Sequence, residues 1–420
     1  MFTPQRNIIL DDQFWSKFVK TTWQKKPAVF KNAKSKLLEI DADQVFNWLV
    51  QYSDHCRKTK TAVGVKFYID GESQYQNEVL QILPEKKDKT LLGYHKRMEK
   101  LFPDYCLVCD ELIQVSSEKW NLLGDFMNGL YKHVGFPNRQ AEIGLYLGNY
   151  KKTPFGVHVD GCGVFSIPVV GRKKFRLWSP DYVKKNPDLE LAFDYKPHLK
   201  GSSLMDVTVG DITYWPSQSW HIAESDGSFS ATWSLGVWVD QPYFEIVMQT
   251  LQSLIIPTLG AEAAKKYIPF EKGPKANGFI QEIPQLLKTS LNQIKDLSKE
   301  ELHDLFMKQW LQINSKNGFK STVKPNLKLK LLKTDWLRGE SKYPIHWAKL
   351  NNQTLSLAVH GKLLFVSDSK ANVDMIETFN SGKAFSVKAI LEKAPKKTEI
   401  FDLLQNLYQM HKVKKVKPIS

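Results

Sequence analysis

Between Ala141 and Asp240 the chain breaks into short β-like runs separated by turn residues, and this stretch restricts the choice of fold more than any other. Strands are predicted at Ile143–Leu147, Val164–Val170, Lys174–Trp178, Ile212–Trp215 and Thr232–Val239, with Gly148, Gly161, Gly163, Gly171 and Gly210 at the bends. Runs of this length and spacing favour an antiparallel barrel or sandwich over a βαβ sheet. Such a scaffold can present side chains from separate strands at an open mouth.

Two motifs lie inside that stretch. One is Thr153-Pro154-Phe155-Gly156-Val157-His158-Val159-Asp160, and the other runs from Gly210-Asp211 through Tyr214-Trp215-Pro216 to His221. In extended chain, residues two apart share a face, so His158 and Asp160 can act on one atom together. His221, which closes a strand-like run and a proline turn, is the candidate third ligand. Two imidazoles and one carboxylate on a single face of a metal leave other positions open, the arrangement that suits non-haem Fe(II). With ten histidines in the chain a chance His-x-Asp is cheap, and the setting of this one carries the reading. Cys162, two residues past Asp160, is a thiol suited to other metals and reads as a small packing residue. Cys106 and Cys109 form a Cys-x-x-Cys pair with no second pair to complete a zinc site, and they fall in a strand-like run. They read as buried thiols.

Around this core the pattern is mixed. Asp11 and Asp12 can cap a helix with Phe14, Trp15, Phe18 and Val19 on one side, and Pro27 ends it before a short strand at Ala28–Phe30. A second helix follows Asp41, strands are predicted at Thr61–Ile69 and Val79–Leu83, and an amphipathic helix spans Glu118–Val134 up to Pro137. Beyond Pro242 helices are predicted at Phe244–Leu254, Ile283–Ile294 and Glu300–Trp310, the last opened by the capping box Ser298–Glu301. From about residue 320 strand-like pieces at Leu327–Leu332, Leu355–Val359 and Leu363–Val366 lead into helices at Val373–Phe379, Val387–Glu392 and Thr398–His411. A small module of three helices and a few strands is expected to be winged-helix-like, and the tail Lys412–Lys417 to be a solvated end.

In the order of its central parts the chain resembles the JmjC group of the cupin superfamily of Fe(II)- and 2-oxoglutarate-dependent oxygenases. Those parts are His158-Val159-Asp160, then Gly171-Arg172-Lys173-Lys174-Phe175, then Gly210-Asp211 through Pro216 to His221. The resemblance implies an α+β chain with a double-stranded β-helix core, with Fe(II) on His158, Asp160 and His221. It further implies 2-oxoglutarate and O2 at the remaining positions. Lys173, thirteen residues past Asp160, matches the base that pairs with the distal carboxylate of 2-oxoglutarate. If the strand alternates, Lys173 and Phe175 point inward and Arg172, Lys174 and Arg176 outward. Tyr146 and Thr153 are further candidates for hydrogen bonds to the co-substrate, although Thr153 stands five residues before His158 where some members place a threonine three before. Trp23-Gln24-Lys25-Lys26-Pro27 looks like the N-terminal strand entrance of the same group. The overall layout resembles the ribosomal oxygenase branch, which implies a catalytic domain over 1–242, a helical linker or dimerisation segment over 243–318 and a basic winged-helix-like domain over 319–420.

What the resemblance implies for function is hydroxylation of a side chain in a protein or peptide, a ribosomal protein in that branch. A tailoring hydroxylase of a ribosomally made precursor peptide or amino acid is the alternative within the fold, and lysine demethylation stands behind it. A reading from another class is a non-catalytic basic adaptor for RNA or protein. Charge bears on that choice: from Lys320 to Ser420 there are 19 Lys and Arg against 8 Asp and Glu, so this segment holds +11 of the net +15. A basic module attracts nucleic acid or acidic proteins through salt-sensitive fields. No apolar run is long enough for a membrane span and the first residues lack a signal pattern, while four irregularly spaced cysteines do not make a disulfide framework. A cytoplasmic protein without a membrane partner is therefore expected, as a monomer or homodimer.

Overall fold

The computed structural model describes residues 3–113, 117–135, 139, 141–151, 155–224, 226–240, 242–259, 283–316, 318 and 325–418. The chain divides into two compact units, one made of residues 1–239 with 317–323, the other of 240–316 with 324–420.

In the first unit the strands are β1 (Gln5–Arg6), β2 (Ala28–Lys31), β3 (Val65–Ile69), β4 (Glu72–Ser73), β5 (Tyr105–Cys109) and β6 (Ala141–Gly148). They continue as β7 (Gly163–Val170), β8 (Arg172–Trp178), β9 (Ser203–Thr208), β10 (Ile212–Trp215), β11 (Trp220–Glu224) and β12 (Ser230–Val237). Nine form one sheet in the order β1-β2-β10-β7-β12-β6-β5-β3-β4, and three form a second in the order β11-β8-β9. Val29, Val164 and Trp215 of the large sheet and Phe175, Leu177, Met205, Val207 and Ala223 of the small one share a single apolar cluster, so the two sheets close on each other. This is the double-stranded β-helix of the cupin and JmjC folds. Alternation decides which side chains enter it: on β8 Lys173, Phe175 and Leu177 are buried while Arg172 is exposed and Lys174 and Arg176 are half-buried. The opposite face of the large sheet rests on helices. Ile143, Leu145 and Leu147 of β6 pack in one core with Trp15 and Phe18 of α1 (Asp12–Thr21) and with residues of α2 (Ala42–Thr59).

The N-terminal strand belongs to this machinery. β2 pairs antiparallel with β10, and the Gly210-Asp211 motif locks the pair. Asp211, 2% exposed, accepts from Lys31 Nζ at 2.7 Å, from the backbone of Asn32 at 3.1 Å and from that of Thr208 at 2.9 Å. Gln24 adds a second tie, donating its backbone N–H to the Tyr214 hydroxyl and accepting from Ser217. At the turn between β7 and β8, Gly171 has φ +76°, and a Cβ there would lie 2.5 Å from the Phe229 carbonyl. Only glycine fits that corner.

Two expectations in this unit are corrected. Val79–Leu83 is not a strand: the segment is the end of helix α3 (Gln76–Ile82), which buries Val79 and Leu83 one turn apart. A short apolar run fits either period, and the packing of one turn decides it. The strand predicted from Thr61 begins only at Val65, because Gly64 at φ +70° makes a turn first. Helices α4 (Leu91–Glu99), α5 (Ser117–Val134) and α6 (Pro180–Lys185) complete the unit.

In the second unit helices α7 (Tyr243–Leu259), α8 (Gln285–Lys295) and α9 (Lys299–Asn314) precede β13 (Trp336–Gly339), β14 (His346–Leu350), β15 (Thr354–Val359) and β16 (Lys362–Ser367). Then come α10 (Lys370–Asn380), β17 (Ala384–Ser386), α11 (Val387–Lys393), α12 (Lys397–Gln409) and β18 (Val413–Val416). The capping box opens α9 as the sequence implied, with Ser298 and Glu301 exchanging side chain and backbone bonds. Asp304 of α9 accepts from the Asn351 backbone at 3.1 Å, and Ser315 accepts from Gly361 at 2.9 Å, so this helix is fastened to the β14–β16 sheet. Helices α10, α11 and α12 share one core with the sheets β17-β13-β18 and β14-β15-β16, a winged-helix-like arrangement.

Two sequence expectations fail here as well. Leu327–Leu332 alternates Leu and Lys but forms no strand. Gln405 of α12 bonds the Leu331 N–H at 2.9 Å and the Leu329 carbonyl at 2.8 Å, doing with a side chain what a neighbouring strand would do. The lysine tail is not a loose end: β18 pairs with β13, Lys412 is 4% exposed and Val413 is 2% exposed. Among the described residues no helix is long and apolar enough to cross a membrane.

Candidate functional site

The two histidines of the sequence motifs meet through their backbones. His158 donates its N–H to the His221 carbonyl at 3.0 Å and accepts from the His221 N–H at 2.8 Å, an isolated antiparallel bridge. Residues opposite each other in such a bridge project to the same side. Their rings lie 4.4 Å apart between centroids. Asp160, two residues on from His158, comes to the same side and its own carbonyl accepts from Gln218 at 3.1 Å, which ties it to the turn before His221. One ligand atom from each of His158, Asp160 and His221 lies within 4.8 Å of the other two.

The ring orientations fit a cation. His158 Nδ1 lies 3.0 Å from the Gly156 carbonyl and His221 Nδ1 lies 2.9 Å from the Ser219 carbonyl. A carbonyl accepts, so Nδ1 carries the hydrogen in each ring and the Nε2 lone pair is left for a metal. Nε2 of His221 is 3.4 Å from Asp160 Oδ2, and Nε2 of His158 is 4.0 Å from Oδ1. Burial pushes His221 down to about 4, with Asp160 acting against that and His158 with it, so the ring is neutral and ready to ligate at physiological pH. Trp215 packs 4.9 Å from the His221 ring and Phe155 5.7 Å from that of His158.

These three residues line a cleft together with Tyr146, Tyr150, Ser166, Lys173, Phe175 and Thr232. Lys173 is 2% exposed and has no carboxylate partner among the described residues. Burial lowers its pKa to about 8, with Cys106 opposing weakly. The hydroxyls of Ser166 and Thr232 are buried without a hydrogen-bond partner among the described residues. A cation and hydroxyls left in this way in the lining of the same cleft suit an acidic ligand that also reaches a metal.

Of the residues singled out from the sequence, His158, Asp160, His221, Lys173 and Tyr146 are brought together in this cleft. Thr153 lies outside the described residues. Cys162 is buried among Val29, Val164 and Phe175. Cys106 and Cys109 are free buried thiols, both pushed up by burial. Sequence reasoning missed Tyr150, whose hydroxyl accepts from Lys173 Nζ. Strand parity could not have found it, because β6 ends at Gly148 with φ +155° and the alternation stops there. The hydroxyls of Ser166 and Thr232 were legible in principle, as inward positions on β7 and β12.

Residues 132–244 match the model of the JmjC domain. Over 167 residues the chain is 25% identical to the bifunctional lysine-specific demethylase and histidyl-hydroxylase NO66 of Drosophila erecta, a match covering 39% of this chain and 24% of that protein. The chain thus spans about a quarter of the length of this curated relative. Among solved structures, Escherichia coli ribosomal oxygenase YcfD is similar over 96% of this chain and 98% of that one, with a TM-score of 0.51 at 13% identity. YcfD in complex with cobalt and 2-oxoglutarate gives a TM-score of 0.50, also at 13% identity. At that identity the likeness shows a shared fold.

Proposed function

We propose that this chain is an Fe(II)- and 2-oxoglutarate-dependent oxygenase that hydroxylates a side chain of a protein or peptide. The observation that carries the reading is one cleft lined both by His158, Asp160 and His221 and by the buried Lys173, which has no carboxylate partner among the described residues. With Fe(II), 2-oxoglutarate and O2 bound, oxidative decarboxylation to succinate and CO2 supplies what is needed to insert one oxygen atom into a substrate C–H bond. The chain's own residues do the rest. His158 and His221 offer Nε2 because backbone carbonyls hold their Nδ1–H groups, and Asp160 completes the ligand face. Lys173 meets the distal carboxylate, and Tyr146 lies on the same wall. Trp215 packs against the His221 ring and Phe155 edge-on to that of His158. A protein substrate is supported by what the relatives are called, a histidyl-hydroxylase and a ribosomal oxygenase, and a ribosomal protein is the first candidate.

The test is to incubate purified protein with Fe(II), 2-oxoglutarate and ribosomal proteins, measuring succinate and the mass of each protein. A gain of one oxygen on one residue, lost in His158→Ala, is expected. If no succinate forms, or if His158→Ala matches the wild type, the proposal fails.

A further inference from the structure

Lys173 is held from behind. Its Nζ donates to the Tyr150 hydroxyl and sits 4.0 Å from the centroid of the same ring. The Cys106 side chain packs in one buried cluster with Tyr150. All three side chains are 2% exposed, and they come from different places in the fold: Cys106 from β5, Tyr150 from just past β6 and Lys173 from β8. Asn149 fixes the segment that carries Tyr150, accepting from the Tyr105 N–H at 3.0 Å and donating to the Pro103 carbonyl at 2.8 Å. Gly148, opposite Cys106, lets the strands approach, since a Cβ there would lie 2.0 Å from the Tyr105 carbonyl.

The chemistry gives this chain a direction. An ammonium can only donate, so the Tyr150 oxygen accepts from Lys173 and its own proton is left for another acceptor, for which the Cys106 sulfur, packed in the same cluster, is the candidate. One N–H of Lys173 is used in this way, and the other two are left for a ligand in the cleft that Lys173 lines.

We propose that Tyr150, itself oriented by Cys106, is the positioning residue that holds Lys173 charged and aimed at the distal carboxylate of the co-substrate. This rests on the oxygenase reading of the cleft. The groups facing Lys173 are Cys106 from β5 and Tyr150, while His158, Asp160, His221 and Tyr146 line the same cleft. Burial brings the Lys173 pKa down to about 8, with Cys106 opposing, so Lys173 stands close to losing its proton. A phenol oxygen that accepts from its N–H stabilises the charged form.

The test is calorimetric titration of 2-oxoglutarate into the full chain loaded with Co(II), below and above pH 8, with thermal melts as the check on folding. Tyr150→Phe should bind about tenfold more weakly, the effect of one charge-assisted hydrogen bond, and its affinity should fall at a lower pH than that of the wild type. Cys106→Ala should move both readings the same way by less, and Cys106→Ser should restore them. On a Lys173→Met background, Tyr150→Phe should add nothing. Unchanged or tighter binding by Tyr150→Phe overturns the inference, as does a tenfold loss that persists without Lys173. Wild-type protein that takes up Co(II) but not 2-oxoglutarate overturns the oxygenase reading, and the inference with it.

Discussion

Replacing Asp211 by alanine should unfasten the N-terminal strand from the double sheet. The carboxylate is 2% exposed and accepts from Lys31 Nζ at 2.7 Å, Asn32 N at 3.1 Å and Thr208 N at 2.9 Å. In Asp211→Ala the two backbone N–H groups lose their partner, while Lys31, about a quarter exposed, can turn to water and keeps the Asp206 carbonyl at 2.6 Å. The two N–H bonds are part-buried and Lys31 can be re-solvated, so a loss of roughly 1–3 kcal/mol is expected. Asp211→Asn keeps an acceptor and should lose roughly half of that. Burial alone would raise the Asp211 pKa, but the bonds from Lys31, Thr208 and Asn32 outweigh it and hold it below the ordinary value. A depressed folded-state pKa gives stability that is present above the unfolded value of about 3.9 and is lost as pH falls through the folded one. The wild type should therefore lose stability more steeply in acid than Asp211→Asn. Urea unfolding followed by near-UV circular dichroism measures both. A loss below about 0.5 kcal/mol for Asp211→Ala would refute the reasoning.

Asp160→Ala and His221→Ala should each abolish binding of one Co(II) per chain, read from the visible spectrum, because two remaining ligands do not hold a divalent metal on one face. Retention of full affinity would sink the ligand assignment. Lys173→Met should leave metal uptake intact and weaken 2-oxoglutarate by about a hundredfold, the cost of losing a buried charge partner, with melting temperature unchanged or raised. Equal affinity in wild type and variant would remove Lys173 from the co-substrate site. In the second unit Lys412 is 4% exposed and burial lowers its pKa to about 8, with Glu340 opposing. Its folded pKa lies below the unfolded value of about 10.4, so the unfolded state binds more protons and stability should rise with pH from about 8 upward. Lys412→Met should raise the melting temperature at neutral pH and flatten that rise, and a lower melting temperature with the slope unchanged would contradict it.

Much of the candidate site was legible along the chain because it obeys local periods. His158 and Asp160 share a face through one alternation, and Lys173 points inward with Phe175 while Arg172 stays out. The same holds for α9, whose capping box is written in four residues. Where the period is short or interrupted, reading along the chain stops working. Val79–Leu83 fits a strand as well as a turn of helix, and the alternating Leu327–Leu332 finds its backbone partner in Gln405 instead of a neighbouring strand. β9 and β11 passed unnoticed because neither carries a clear apolar run, with polar residues inside both Ser203–Thr208 and Trp220–Glu224.

By itself the sequence determined which residues could be ligands and which faces of the central strands are buried, since both follow from side-chain type and alternation within single elements. Only the tertiary structure decided which of those faces meet. The His158–His221 bridge joins residues 63 positions apart, the Asp211–Lys31 pair joins β2 to β10, and Tyr150 reaches Lys173 past a strand end where the alternation has already broken. Strand pairing fixes these meetings. Its partners are chosen by burial across the whole double sheet, and no local pattern carries that information.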